Sequence, residues 1–391
     1  MMKERSANSS ISLLRKGLRL VIIVCSAVLA CVLLLAGWIW LHSPGNPAPV
    51  LSADGKPLPR SIAEKLFLKI NGVEQGMFIK GADTLNPVLL YLHGGMPDYF
   101  LTERYPTGLE DHFTVVWWEQ RGAGISFHPD IPRETMTVEQ LISDTRVLTD
   151  YLRTRFGKEK IYLMAHSGGT FFGIQAAARM PELYHAYIGV AQMSYQLASE
   201  KLAYEFMLQR FRELGDSSMV RRLEQAPVTL ATDVPPGYNA LRDEAMHTLG
   251  IGTMHDMTSV VSGLFWPSLL FPEYTFTEKV RMWSGKSRSG ISILWDSMVR
   301  TDLATEVTAL SIPVYFFHGI HDYTCSYPLA RSYFDGLTAP VKGFYTFEHS
   351  AHSPMFEEPE RMGTIIAHDV LTGVNALADG KGSPSGGMPQ H

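Results

Sequence analysis

Between residues 63 and 376, short apolar runs alternate with stretches of helical spacing. Val88-Leu89-Leu90-Tyr91-Leu92 and Phe113-Thr114-Val115-Val116-Trp117-Trp118 are apolar or small on successive positions, which predicts strands covered on both faces. Leu141, Val147, Leu148 and Tyr151 recur at helical spacing within residues 138–156. A strand at Ile161–Met164, a helix of small residues from about Gly169 to Arg179, and a strand at Ala186–Val190 follow. Further on, Val314-Tyr315-Phe316-Phe317 and Gly343-Phe344-Tyr345-Thr346-Phe347 predict two strands with a helix between them, and a last helix starts near Pro359. Strands alternating with helices predict the α/β class, a mostly parallel sheet with helices on both faces. Residues 196–302 break the alternation: Met, Leu and Arg at helical spacing, with Trp266 and Trp283, predict a helical insertion.

The first 62 residues follow a different pattern. From Leu20 to Leu41 the only polar side chains are Ser26, Cys25 and Cys31, and 22 residues of helix at 1.5 Å each match the ~30 Å hydrocarbon core of a bilayer. Lys3, Arg5, Arg15, Lys16 and Arg19 precede the run, and no Lys or Arg follows until Lys56. That asymmetry predicts a single transmembrane anchor with residues 1–19 in the cytoplasm and the rest of the chain extracytoplasmic. Trp38 and Trp40 stand at the far end, where amphipathic rings favour the interface. A buried core helix fits neither the length nor the charge asymmetry. A cleavable signal has a shorter apolar stretch, of ~7–15 residues. Val28-Leu29-Ala30-Cys31 resembles a lipoprotein signal, but ten more apolar or Gly residues follow Cys31. Residues 42–62 carry five prolines and read as an extended linker, and 377–391, rich in Gly, Ser and Pro, as a disordered tail.

Composition narrows the class. Of 391 residues, 46% are hydrophobic and 19% charged, as in globular chains, so extensive disorder, a coiled coil and a polytopic membrane protein are excluded. A net charge of -5 without a basic run beyond the N-terminus argues against a nucleic-acid partner. Three cysteines make no disulfide framework. Beyond the anchor, 29 basic against 38 acidic residues leave -9, which suits a domain held off an anionic surface.

The sharpest chemical signal is Ala165-His166-Ser167-Gly168-Gly169, between a predicted strand and a predicted helix. A serine on such a turn is exposed at the carboxyl edge of the sheet, and its neighbours two residues away must be small because the backbone doubles back. The helix behind it offers N–H groups and a positive dipole end to a developing oxyanion. A serine hydroxyl needs a base, and the base an orienting carboxylate. Asp322 follows the 314–318 run, where an orienting acid belongs, although an Asx-turn or helix cap would also place an Asp there. His349 and His352 both lie after the last strand, and His352, further into the loop, is the preferred base. His93-Gly94-Gly95 follows the 88–92 strand and can aim the Gly95 N–H, with that of Gly168, at a substrate carbonyl oxygen. His93 itself reads as a packed or hydrogen-bonded turn residue. Gly122-Ala123-Gly124 lacks the third glycine of a dinucleotide site, and His349 with His352 lacks a third metal ligand. No metal and no cofactor are expected.

These residues, with Glu119-Gln120-Arg121-Gly122-Ala123-Gly124-Ile125-Ser126 and Ser350-Ala351-His352-Ser353-Pro354 followed by Glu357-Glu358-Pro359, resemble the α/β-hydrolase fold. More narrowly they resemble the prolyl iminopeptidase-like serine peptidases, over about residues 63–195 and 303–376. The resemblance implies a triad of Ser167, Asp322 and His352, oxyanion donors at Gly95 and Gly168, and a helical cap at 196–302 whose acids hold the substrate's free amine. The chain departs from the family pattern at Glu119, where Asp is usual, at Met96-Pro97, and at His166 in place of the common Gly-Gly-Ser-Trp-Gly. Cap carboxylates are plentiful (Glu200, Glu205, Glu213, Glu224, Asp243, Glu244), and exposed helix faces are charged by default.

The expectation is therefore a membrane-anchored serine hydrolase acting on a small-molecule or short-peptide substrate, foremost an aminopeptidase of prolyl iminopeptidase type. A carboxylesterase or lipase-like enzyme with the same triad is the alternative, since Trp266, Met282 and Trp283 would also suit acyl chains. A non-catalytic binding module is the third. Oligomeric state is not legible in the chain.

Overall fold

The computed structural model describes residues 2–380 apart from Ala53 and Ser287. Eight strands form one sheet: β1 Ile62–Ile70, β2 Val73–Gly81, β3 Val88–Leu92, β4 Thr114–Trp118, β5 Ile161–His166, β6 Tyr184–Val190, β7 Val314–Gly319 and β8 Lys342–Phe347. Their order is β1-β2-β4-β3-β5-β6-β7-β8. β1 and β2 pair antiparallel, as do β2 and β4. The remaining pairs are parallel. Every residue of β3, β4, β5 and β7 is buried, which is why those strands read as continuous apolar runs and not as alternations.

Two apolar layers enclose the sheet. One joins Leu90, Leu163 and Phe316 to Leu148 and Leu152 of the helix Val138–Phe156 and to Phe172 of the helix Gly168–Arg179. The other joins Leu89, Trp117 and Tyr315 to Phe356, Met362 and Ile365 near the C-terminus. The chain between β6 and β7 is a run of helices with a small core of its own, around Met207, Phe211, Leu223, Tyr238 and Leu241. It enters and leaves at one point, where Tyr195 bridges Asp302 and the Leu303 N–H donates to the Ser194 carbonyl at 3.1 Å.

The β1–β2 hairpin carries no prediction from periodicity, because β1 is mostly half-buried and mixes Glu64, Lys65 and Lys69 with its apolar residues. Its signal is the two-residue turn Asn71-Gly72, with φ of 44° and 84°, which suits the twist of the paired strands. The expected tail also needs correction. The Leu377 N–H donates to Asp369 at 2.8 Å, Ala378 is buried, and the Asp379 N–H donates to the Phe344 carbonyl at 2.9 Å, which adds residues 377–379 to the edge of β8. The rest of that stretch, 381–391, lies outside the described residues.

At the other end one helix runs Met2–Leu41, and its apolar part from Arg15 to Leu41 is long enough to cross a bilayer. Beyond it the linker is docked on the domain. The Gly45 N–H donates to the Pro272 carbonyl at 3.0 Å, and the Ala48 N–H to Glu273 at 2.9 Å.

Candidate active site

β5 ends at His166 and a helix starts at Gly168, so Ser167 occupies the turn between them. Its φ of 53° and ψ of -129° lie where L-residues are strained, at a cost of order 1–3 kcal/mol. The Ser167 N–H donates to the Val190 carbonyl at 3.1 Å and Thr170 Oγ1 to the Ser167 carbonyl at 2.6 Å, which hold the turn in place. Glycine at 169 is obligatory, because a Cβ there would stand 2.5 Å from the carbonyl oxygens of Leu92 and His93. At Gly94 a Cβ would stand 2.6 Å from that of Ser167, so the loop after β3 reaches the serine only as bare backbone.

Asp322 follows β7 and is fully buried. Its Oδ1 accepts the Thr324 and Cys325 N–H groups at 2.8 and 2.9 Å, and its Oδ2 lies 2.9 Å from His352 Nδ1. The Asx-turn and the partnership with histidine are thus two edges of one carboxylate. Burial alone would raise the Asp322 carboxyl; the imidazoles of His352 and His318 hold it well below the usual range. His318 Nε2 lies 3.2 Å from the same Oδ2 and donates to the Cys325 carbonyl at 2.7 Å. For His352 the balance runs the other way: burial lowers its pKa, and the neighbouring Asp322 offsets only part of that.

Two acids shape the loop that carries His352. Glu357 accepts the N–H groups of Ala351 and Ser353 at 3.1 and 3.2 Å. Glu358 accepts Ser350 Oγ at 2.6 Å and the His349 N–H at 3.0 Å. His349 is exposed, whereas His352 is buried on Asp322, so the structure separates the two histidines by orientation. Periodicity gave no hint of a third contact: His166 Nε2 donates to the His352 carbonyl at 2.9 Å. The other ring nitrogen of His166 faces Asp98 at 3.2 Å, and Asp98 accepts the Tyr91 hydroxyl at 2.6 Å. Only the position of His166 beside Ser167 pointed toward this network.

His93 is a turn residue. It is buried, its Nδ1 donates to the Gly94 carbonyl at 2.8 Å, its Nε2 accepts the Gln120 N–H at 3.2 Å, and burial lowers its pKa to about 4. The Glu119–Ser126 segment is scaffold as well. Arg121 and Asp144 form a fully buried bidentate pair at 2.7 and 3.0 Å. Glu119 accepts the Ile125 N–H at 2.6 Å and the Tyr274 hydroxyl, which ties this loop to the helical insertion.

A cavity of about 330 Å³ opens over the serine, lined by Gly95, Ser167 and Gly168 and, from the insertion, by Gln196, Arg242 and Trp295 among others. A Cβ on Gly95 would meet nothing within 4 Å. Of the six cap acids, Glu205, Glu213, Glu224 and Glu244 pair on the surface with Lys201, Arg210, Arg212 and Arg222. Asp243 is exposed. Glu200 is fully buried and has all its acceptor capacity in use, by Arg242 at 2.7 and 2.8 Å, Gln196 at 2.8 Å and Tyr238 at 3.0 Å. Among the described residues no cluster of three or more His, Cys, Asp or Glu side chains is arranged to hold a metal.

Residues 87–359 match the family model described as alpha/beta hydrolase fold. The chain belongs to that family. A Bacillus subtilis (strain 168) protein named probable aminopeptidase YbaC is 32% identical over 318 residues, 80% of this chain and 97% of its own. Among solved structures, a proline iminopeptidase-related protein of Thermus thermophilus superposes with a TM-score of 0.55 at 20% identity, over 78% of this chain and 98% of that one. A Mycobacterium smegmatis proline iminopeptidase gives 0.52 at 16%, over 78% and 96%. At those identities the two structures speak for the fold. The α/β-hydrolase fold is the one the motifs implied.

Proposed function

We propose that this hydrolase cleaves an amide through a Ser167 acyl-enzyme and acts as an aminopeptidase on short peptides. The observation that carries the reading is the serine on a strained strand–helix turn, open to a cavity, with a buried Asp322–His352 pair on the loops after β7 and β8 at the same sheet edge. In the proposed cycle Ser167 Oγ attacks the carbonyl carbon and its proton passes to His352. Asp322 accepts the Nδ1–H, fixing the tautomer and stabilising the imidazolium. The oxyanion takes hydrogen bonds from the Gly95 and Gly168 N–H groups, and one such donor is typically worth ~2.7–4 kcal/mol in the transition state. His352 then protonates the leaving amine. Water, losing its proton to His352, attacks the acyl carbon and returns the serine hydroxyl.

The free-amine preference is supported by the aminopeptidase-named relative. A second reading, ester hydrolysis with the same residues, is favoured by the cavity wall: its charged side chain is Arg242, and Glu200 behind it is saturated. The anchor reading is supported by the apolar run 20–41 of the N-terminal helix and the basic residues before it. It would hold the hydrolase on the extracytoplasmic face of a membrane.

The test uses the purified full chain with three substrates: a proline arylamide, its N-acylated form and a short-chain aryl ester. Arylamide turnover lost on N-acylation supports the aminopeptidase. Ester turnover alone moves the assignment to esterase. Turnover that survives Ser167→Ala, expected to lose on the order of 10⁶ in kcat, overturns the acyl-enzyme in either form.

A further inference from the structure

Met257 to Pro272 is a stretch of 16 residues without a charged side chain, in the middle of an insertion otherwise dense in ion pairs. Its helix, Val261–Leu270, is apolar, yet it leaves Val261, Trp266 and Leu270 exposed at 53%, 39% and 46%. Phe265 packs edge-on against Trp283 of the neighbouring helix Phe276–Gly285, and Val280 of that helix is 51% exposed. Solvent-facing apolar groups on two adjacent helices are what a soluble surface ordinarily avoids.

The position of this face explains it. The chain leaving the apolar N-terminal helix is seated beside it: Pro44 bridges Thr275, the Gly45 N–H donates to the Pro272 carbonyl, and Lys279 donates to Ser43 Oγ at 2.7 Å. Leu270 precedes Pro272 by two residues and Val280 follows Lys279 directly, so both are chain neighbours of the residues that hold the segment leaving the anchor. The segment is also fixed rigidly to the sheet edge, through Lys65–Glu278 and Lys80–Glu273 pairs at 2.8 Å each. A rigid apolar face at the mouth of a membrane helix has one natural neighbour, the interfacial layer of the same bilayer.

We infer that the 261–270 helix and Val280 lie in the outer interface of the membrane, so that the domain rests on the bilayer beside its anchor. The proposal rests on reading residues 20–41 as a membrane span. Charge around the face is mixed: Glu273 and Glu278 are buried in pairs and Lys286 and Arg288 are exposed after the second helix, while exposed Glu103 and Asp256 stand at its rim. Aromatic rings with basic neighbours are the composition of interfacial helices.

The test places a nitroxide on the full chain, in a background with Cys25 and Cys31 replaced by Ala, reconstituted in phosphatidylcholine vesicles. Labels at Val261→Cys, Leu270→Cys and Val280→Cys are expected to lose access to a water-soluble nickel chelate and to gain access to oxygen. A label at Leu214→Cys, an exposed position near Glu213 and Asp216, stays fully accessible to the chelate. Alkaline carbonate extraction of the same vesicles tests the anchor separately. Chain retained in the membrane, with all four labels equally accessible to the chelate, overturns the inference alone. Chain released into the supernatant overturns the anchor and the inference with it.

Discussion

The Nε2 of His166 lies 2.9 Å from the carbonyl oxygen of His352. The residue preceding the proposed nucleophile therefore holds the backbone of the proposed base, across 186 positions of sequence. With Asp98 and Tyr91 on its far side, His166 links the loops that carry the two candidates.

His166→Ala frees the His352 loop at one point while the Glu357 and Glu358 contacts remain. Displacing a catalytic group by about 1 Å costs on the order of 10²-fold. The variant is expected to lose activity on that scale in kcat, with KM little changed and the circular-dichroism spectrum of the folded protein. Unchanged kcat would show that the contact is idle.

Ser167 carries a positive φ that glycine adopts freely. Ser167→Gly and Ser167→Ala are both expected to be inactive, but the glycine variant is expected to be more stable in urea by about 1 kcal/mol. Equal stabilities would mean that the turn stores no strain.

The base must be neutral to accept a proton, and burial sets the His352 pKa below 6.5. kcat/KM is expected to rise with pH through an acidic limb centred below 6.5 and to be level by neutrality. A limb centred above pH 7 would contradict a buried imidazole as the base.

Glu119 is buried between Ile125 and Tyr274, and burial raises its pKa to about 8. Between the ordinary glutamate value near 4.5 and that point, the folded state holds a proton that the unfolded state has released. The contribution to stability is complete below pH 4.5 and is lost as pH rises through about 8, at up to ~1.4 kcal/mol per pH unit. The melting temperature is expected to fall between about pH 4.5 and 8 and to level off above that. Glu119→Gln, whose Oε1 still accepts the Ile125 N–H and whose amide donates to the Tyr274 oxygen in place of accepting its hydroxyl, is expected to flatten that fall.

Glu200 binds Arg242, Gln196 and Tyr238, which leaves it no lone pair for a substrate. Breaking a buried pair by removing one partner costs about 3–5 kcal/mol. Glu200→Gln is expected to lower the melting temperature and to reduce arylamide and ester turnover alike. A loss confined to free-amine substrates would instead make Glu200 the amine's partner.

The fully buried strands, and the order of the candidate residues along them, are already written in the chain. β3 is apolar at all five positions because both its faces are covered, and covered faces leave a mark that needs no knowledge of the partner strand. Ser167, Asp322 and His352 stand out for a related reason: Ser167 follows β5 directly, and Asp322 and His352 lie on the loops after β7 and β8, at the same carboxyl edge of the sheet. The β1–β2 hairpin was legible only through Asn71-Gly72, because half-buried strands dilute their own period.

Tertiary structure decided which side chain meets which. His349 and His352 are three residues apart on one loop, and only the grip of Glu357, Glu358 and His166 on its backbone turns one inward and leaves the other in solvent. Asp98 joined the site because β3 lies beside β5 in the sheet, an adjacency that nothing local encodes. In the chain Glu200 is indistinguishable from its five cap neighbours; Arg242, 42 positions away, is what saturates it together with Gln196 and Tyr238. Local periodicity records whether a residue is covered. What covers it depends on strand order and helix placement, which the whole chain settles together.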